Sequence, residues 1–261
     1  MKIVVCIKHV PDVQSERRLE GARLVRGEDD VLNELDENAV EAAVSLVEDL
    51  GGRVVALTMG PEDAEDAVRR ALQMGVDSGV VVSDDDLAGA DVVTSARALA
   101  AAIGRIGGVG PGAGTGDVDL VVTGMASLDA MTSMLPGALA AALHVPALTL
   151  ASSLEAGAEG ITVTRATGAL KEVLSAPLPA LVSVTDQANE PRYPNFAAMR
   201  AARRKPVDAW DLGDLGIEPR GAAVAVVEAE ERPARQAGII RTDAGEAGRE
   251  LAAWLVDGGL V

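Results

Sequence analysis

Apolar positions in the first 150 residues alternate between short unbroken runs and stripes spaced by three and four. "KIVVCIKHV" (2–10) is an unbroken run, as expected of a strand covered on both faces. After a charged connector, "LDENAVEAAVSLVEDLGG" (35–52) reads as a helix. Ala39, Val40, Ala43, Val44, Leu46 and Val47 form its stripe, Asp36 is its candidate cap, and Gly51-Gly52 stop it. "RVVALTMG" (53–60) is a second buried strand. Pro61 opens the helix "EDAEDAVRRALQMG", because a first turn has no use for the missing N–H. A third strand (79–83), a helix in "GADVVTSARALAAAIGRIG", a fourth strand (119–124), a helix in "SMLPGALAAALHV" and a fifth strand (147–152) complete the alternation.

Strand–helix alternation of this kind predicts an α/β fold: an open, mostly parallel sheet with right-handed crossovers and helices on both faces. Such a sheet binds ligands at the carboxyl ends of its strands. The loops there are "HVPDVQSE", "TMGPED", "SDDDLAG" and "TGMASLDAMTS". From 153 the pattern becomes polar/apolar alternation around Gly168, which predicts antiparallel strands before a buried strand returns at 180–185. A domain is therefore expected over 1–206, followed by a C-terminal arm over 207–261. The arm holds a short apolar strand in "AAVAVVEAEE" and a helix over 244–256 with Leu251, Trp254 and Leu255 on one side. It has too little apolar mass to fold alone, so it must lie on this domain or on a partner.

Composition narrows the functional classes. Asp and Glu number 40 against 23 Lys and Arg, and a formal net charge of −17 argues against general affinity for nucleic acid. One Cys excludes an internal disulfide framework and a cysteine metal cluster, and a reducing cytoplasm is the default compartment. No apolar run approaches the ~18–20 residues of a membrane span, and "MKIVVCIKHVPD" lacks a signal-peptide cleavage site. Against this acidic background "NEPRYPNFAAMRAARRKP" (189–206) stands out. It holds the only Tyr and the only Phe of the chain, Tyr193 and Phe196, with Arg192, Arg200, Arg203, Arg204 and Lys205. That pattern reads either as a solvated basic helix face or as a surface that attracts and docks an acidic protein.

Few motifs carry chemistry. "GGVGPGAGTGD" (107–117) follows a helix and precedes a strand, the reverse of a dinucleotide fingerprint, and reads as a loop. There is no P-loop and no nucleophile elbow. His9 and His144 lack sequence partners for a triad or metal site, Cys6 reads as a small core residue, and "SDDDLAG" as a solvated loop and cap. The loop 123–133 is the better candidate. It joins a buried strand to a helix, where free N–H groups and the helix dipole favour an anion. Gly124 permits close backbone approach, while Ser127, Asp129, Thr132 and Ser133 offer contacts to a phosphate or ribose. A plain polar turn fits the same residues.

Taken together, these stretches resemble the β-subunit family of electron-transfer flavoproteins. The resemblance rests on "KIVVCIKHVPD", "LNELDENAVEAAVSL", "ALTMGPEDAEDAVRRALQMGVD", "DLVVTGMASLD" and above all "LPALVSVTDQANEPRYPNFAAMRAARRKP", with "DLGIEP" and "RQAGII" continuing it. It implies an adenine-nucleotide-hydrolase-like fold and a heterodimer whose α subunit holds most of an FAD. The arm then packs on the α subunit. A pocket in this chain holds AMP, or a second FAD in bifurcating or nitrogen-fixation-type members, through Cys6, Asn33, Met59, Gly124, Ser127, Asp129, Thr132 and Ser133. Met134, Leu135 and Pro136 replace several polar ligands of AMP-binding members, and "HVPDVQSER" lacks the aromatic that some members carry. The segment 189–205 becomes the recognition loop, with Phe196 as the anchor and Tyr193, Arg200, Arg203, Arg204 and Lys205 around it. Electrons would come from flavin dehydrogenases such as acyl-CoA dehydrogenases and pass to a quinone oxidoreductase. The chain would be a carrier subunit with no catalytic residue and no metal. A stand-alone adenine-nucleotide sensor is the competitor from another class.

Overall fold

The computed structural model describes residues 1–109, 116–157, 160–233, 235–238, 240 and 242–261. Most of the glycine-rich stretch read as a loop at 107–117 therefore lies outside the described residues. Two compact units are present, Met1–Ala229 and Glu230–Val261.

In the first unit β1 (Lys2–Cys6) is followed by β2 (His9–Pro11), the short pair β3 (Leu19–Glu20) and β4 (Arg23–Leu24), β5 (Asp30–Leu32) and α1 (Glu34–Leu50). Then come β6 (Arg53–Met59), a 3-10 turn over Glu62–Ala64, α2 (Glu65–Gln73), β7 (Ser78–Val82), α3 (Val92–Ile106), β8 (Leu120–Gly124), α4 (Leu135–Leu143) and β9 (Ala147–Ala151). The antiparallel strands β10 (Ser153–Gly157), β11 (Gly160–Thr167) and β12 (Leu170–Ala176) lead to β13 (Ala180–Val184), α5 (Phe196–Ala202) and β14 (Val207–Trp210).

Seven strands form one sheet in the order β14-β7-β6-β1-β8-β13-β9, and every neighbouring pair is parallel. The unbroken apolar runs follow from this, since each strand is covered on both sides. Alternate residues enter two separate cores. Ile3, Val5, Val54, Ala56 and Val122 pack beneath α1 and α2, with Val40, Val44 and Leu72. Val4, Leu57 and Val121 pack beneath α3 and α4, with Leu99, Ile103 and Leu139. The expected switch to antiparallel strands is present: β11 pairs with both β10 and β12, turns at Gly168 (φ 60°) and sends Ile161 and Val163 into the first core.

Three local expectations change. Asp36 is not the cap of α1. The cap position belongs to Asn33, and Asp36 lies buried in the first turn. The sheet continues past the expected boundary at 206, because Val207–Trp210 adds to β7 as its edge strand. That strand is short, half-exposed and mixed in polarity, so periodicity does not reveal it. "AAVAVVEAEE" forms no strand: residues 222–231 are exposed, Val227 at 95%, and among the described residues 222–229 join no sheet. An apolar run becomes a strand only where another strand can take its hydrogen bonds.

The second unit contains α6 (Ala247–Asp257), close to the expected helix, with Leu251 and Trp254 exposed. Among the described residues no helix is long and apolar enough to cross a membrane.

Candidate nucleotide crevice and recognition segment

From β1 the chain moves outward through α1 to β6 and β7, then crosses by α3 to β8 on the other side of β1. The carboxyl ends of β1 and β8 therefore flank the switch point of the sheet, where open α/β sheets bind ligands. Two polar residues from the start of α1 close the base of this crevice. The Lys8 backbone N–H donates to Asp36 Oδ2 at 2.9 Å, and the Gly124 N–H donates to Asp36 Oδ1 at 3.2 Å. Asn33, fully buried, donates from Nδ2 to the Ala126 carbonyl at 2.9 Å and accepts from the Leu128 N–H at 3.0 Å. A Cβ on Gly124 would lie 2.3 Å from Asp36 Oδ1 and 2.7 Å from the Leu35 carbonyl oxygen. What approaches this glycine closely is thus the first turn of α1.

The loop after Gly124 carries a charged cluster. Lys8 Nζ donates to both Asp129 oxygens at 2.9 and 3.0 Å and lies 3.4 Å from Ser127 Oγ. Arg26 donates to Asp129 Oδ2 from the connector between β4 and β5. The Asp129 side chain is only 2% exposed, whereas Lys8 and Arg26 are 39% and 33% exposed. Burial pushes the Asp129 carboxyl up, but hydrogen bonds and charge from Lys8, with Arg26, outweigh it and bring it down to about 2. Burial dominates at Asp36, raising its carboxyl to about 7 against the hydrogen bonds from Asn33, Lys8 and Gly124. Further along the loop Met131, Thr132, Ser133 and Met134 are exposed, and Met131 and Ser133 both sit at φ 52°. The Thr132 and Ser133 amides donate to no acceptor among the described residues.

Of the residues marked from sequence, Asn33, Gly124, Ser127 and Asp129 meet at one point, and Thr132 and Ser133 continue the same loop. Asn33 and Asp129 are both engaged within the protein, one shaping the loop and the other holding its cations. Cys6 is buried in the second core beside partly buried Met59, and burial pushes its thiol up to about 12. His9 Nε2 and Thr58 Oγ1, near the ends of β1 and β6, are buried without a hydrogen-bond partner among the described residues. Sequence reading missed Lys8 and Arg26. Lys8 carries a usable signal, a lone cation at the carboxyl end of an apolar strand. Arg26 carries none, since its partner is 103 residues away.

One anion, Asp129, is held between two half-exposed cations, Lys8 and Arg26, at the crevice mouth. Free amides and a serine hydroxyl complete a set suited to a phosphate group. Among the described residues no group of three or more His, Cys, Asp or Glu is arranged for a metal.

The second candidate surface lies on α5. Asn195 accepts from the Ala198 N–H at 2.9 Å and caps that helix. Tyr193 and Phe196 are both 88% exposed, and the Arg70 guanidinium lies 5.5 Å from the Tyr193 ring centre. Phe196, Ala197, Arg200, Ala201 and Arg204 line a shallow concavity, and Arg203 is exposed beside it. Lys205 turns inward instead. Its Nζ donates to the Leu72 and Val76 carbonyls at 3.1 and 2.5 Å, capping the end of α2, and burial lowers its pKa.

Comparison with known proteins identifies the family of the chain. The family described as electron transfer flavoprotein domain matches residues 22–215. The electron transfer flavoprotein subunit beta of Mycobacterium leprae is 37% identical over 267 residues, covering 97% of each chain. Protein FixA of Azorhizobium caulinodans is 35% identical, over 84% of this chain and 78% of its own. The caffeyl-CoA reductase-Etf complex subunit CarD of Acetobacterium woodii is 30% identical, over 86% and 83%.

Gly124→Ala forces a methyl group against Asp36 and Leu35, and should cost about 1–3 kcal/mol in denaturant unfolding; an unchanged midpoint would show that the contact is loose. Asp36 holds its proton in the folded state up to about pH 7, against an ordinary value of 3.8, so folding takes up a proton between those limits. This contribution is full below pH 3.8 and fades as pH rises through 7. Asp36→Asn should remove that slope, so the stability of wild type relative to the variant falls from pH 4 to pH 7. A constant difference across that range contradicts the assignment.

Proposed function

The chain belongs to the β-subunit family of electron transfer flavoproteins, and from that membership we propose that it is the carrier half of an αβ heterodimer. It would take electrons from flavin dehydrogenases, of which acyl-CoA dehydrogenases are the expected type, and deliver them to a quinone oxidoreductase. FAD supplies the redox chemistry and is held mainly by the α subunit. The arm beyond the edge strand Val207–Trp210 packs on that subunit. This chain contributes no acid, base or nucleophile. It builds the surface that recognises partners and a crevice for AMP, and a cytoplasmic location goes with this reading.

The crevice supports the AMP assignment. Lys8 and Arg26 stay half-exposed above buried Asp129, and the Thr132 and Ser133 amides are free, which suits a phosphate. Ser127 adds a hydroxyl, while exposed Met131 and Met134 provide apolar surface for a base. Asn33 and Gly124 act indirectly in this reading, by fixing the loop against α1. Cys6 and Met59 form apolar wall, and the Cys6 thiol stays protonated.

The observation that carries partner recognition is Phe196, 88% exposed in a concavity shared with Arg200 and Arg204 on a chain of net charge −17. A large ring left in water is a cost to the free protein and a gain on docking, about 2–3 kcal/mol if fully buried. Arg200, Arg203 and Arg204 supply a local positive field for an acidic partner, and Tyr193 frames the ring. Lys205 serves the surface by fixing its base. The bifurcating reading, with a second FAD in this crevice, ranks behind. The relative named as a plain β subunit matches nearly the whole of both chains, and FixA and CarD match less.

Phe196→Ala should lower kcat/KM for electron acceptance from a reduced acyl-CoA dehydrogenase by about 10- to 100-fold, with the flavin content of the heterodimer unchanged. Transfer at the wild-type rate would remove Phe196 from the docking surface.

A further inference from the structure

Phe196 and Tyr193 are too exposed to hold their own segment in place, so its conformation has to be set elsewhere. Three residues of α1 do this. Asn38 and Asn189 exchange hydrogen bonds: Asn38 Nδ2 donates to the Asn189 carbonyl at 2.9 Å, and Asn189 Nδ2 donates to the Asn38 carbonyl at 3.0 Å. Arg192 then lies across two glutamates of the same helix. Its Nε and Nη2 donate to Glu41 at 2.8 and 2.9 Å, and its Nη1 and Nη2 donate to Glu48 at 2.7 and 2.9 Å. The Arg192 backbone N–H also donates to Glu41, at 3.0 Å. Ser45 Oγ donates to Glu41 at 3.0 Å and holds that carboxylate from the other side. Glu41 and Glu48 are two helical turns apart and so share a face. Pro191 and Pro194 fix φ on either side of the clamp, and Asn195 then starts α5.

We propose that Arg192 is a positioning residue for Phe196: its fork, closed on Glu41 and Glu48, holds the recognition segment in its docking conformation before a partner arrives. The proposal rests on the recognition reading above and adds the device that makes the surface rigid. Ordering a segment in advance removes that cost from association, so affinity rises without a new contact. Only a planar guanidinium reaches both carboxylates with paired donors; a lysine keeps the charge and loses the fork. Burial opposes a charged Glu41, yet the Arg192 hydrogen bonds hold its carboxyl below the usual range, as they also do at Glu48.

The test uses the αβ heterodimer carrying Arg192→Lys, with Glu48→Gln as a milder variant in case the first folds poorly. Amide hydrogen exchange over 193–199 reports the order of the segment. Electron acceptance from a substrate-reduced acyl-CoA dehydrogenase gives KM and kcat. Exchange and KM should each rise about tenfold, with kcat within about twofold of wild type. In a Phe196→Ala background the same change should add nothing to KM, because Arg192 acts through that ring. Unchanged exchange overturns the proposal whatever the kinetics, and so does a KM effect that persists without Phe196. Raised exchange, together with a Phe196→Ala single variant that transfers normally, overturns the recognition reading instead.

Discussion

A carboxyl group buried where three chain segments meet, Asp36, fixes the start of α1 to the sheet, and α1 in turn holds both surfaces. The carboxyl receives the Lys8 N–H from the end of β1 and the Gly124 N–H from the end of β8, so two neighbouring strands are joined through the first turn of α1. Buried acceptors that receive two backbone donors are expensive to disturb, because each donor would lose its partner inside the protein. Asn33, one turn earlier, ties down the loop beyond Gly124 by donating to the Ala126 carbonyl and accepting from the Leu128 N–H. The shape of the crevice is therefore decided by α1 before any ligand arrives.

The same helix decides the second surface. Asn38, Glu41 and Glu48 continue along α1 and hold Asn189 and Arg192, so the segment bearing Phe196 is fixed to the element that carries the crevice loop. One rigid helix, packed by Val40 and Val44 into the core beneath it, gives two separated surfaces a common frame. The charge arrangement agrees with this division. Arg192 and Lys205 spend their charge inside the protein, on carboxylates and on the end of α2, while Arg200, Arg203 and Arg204 face solvent. Five basic residues in one stretch thus separate into two that build and three that stay in solvent.

Much of the fold was legible because it depends on local pattern. Unbroken runs marked the covered strands, stripes marked α1 to α3, and Gly51 and Gly168 marked their turns. The edge strand Val207–Trp210 escaped because edge strands lack a strong pattern, and the valines around 224–227 misled because apolar sequence alone cannot provide a pairing partner. At the crevice, the loop from Gly124 was readable from its place between strand and helix. The pairing of Arg26 with Asp129 was not, since nothing local ties residues 103 apart. Asp36 was misjudged for a related reason. A helix-start aspartate usually caps its own helix, whereas here tertiary contacts claim its carboxylate. At 189–206 the pattern left two readings open, a solvated basic face or a docking surface, and the family resemblance favours the second.

The most direct measurement is the nucleotide content of the purified αβ heterodimer, released and identified by mass spectrometry beside the chain expressed alone. One FAD and one AMP per heterodimer are expected, and no flavin on this chain by itself. Two FAD per heterodimer, or a stable flavin-loaded chain without its α subunit, would contradict that expectation.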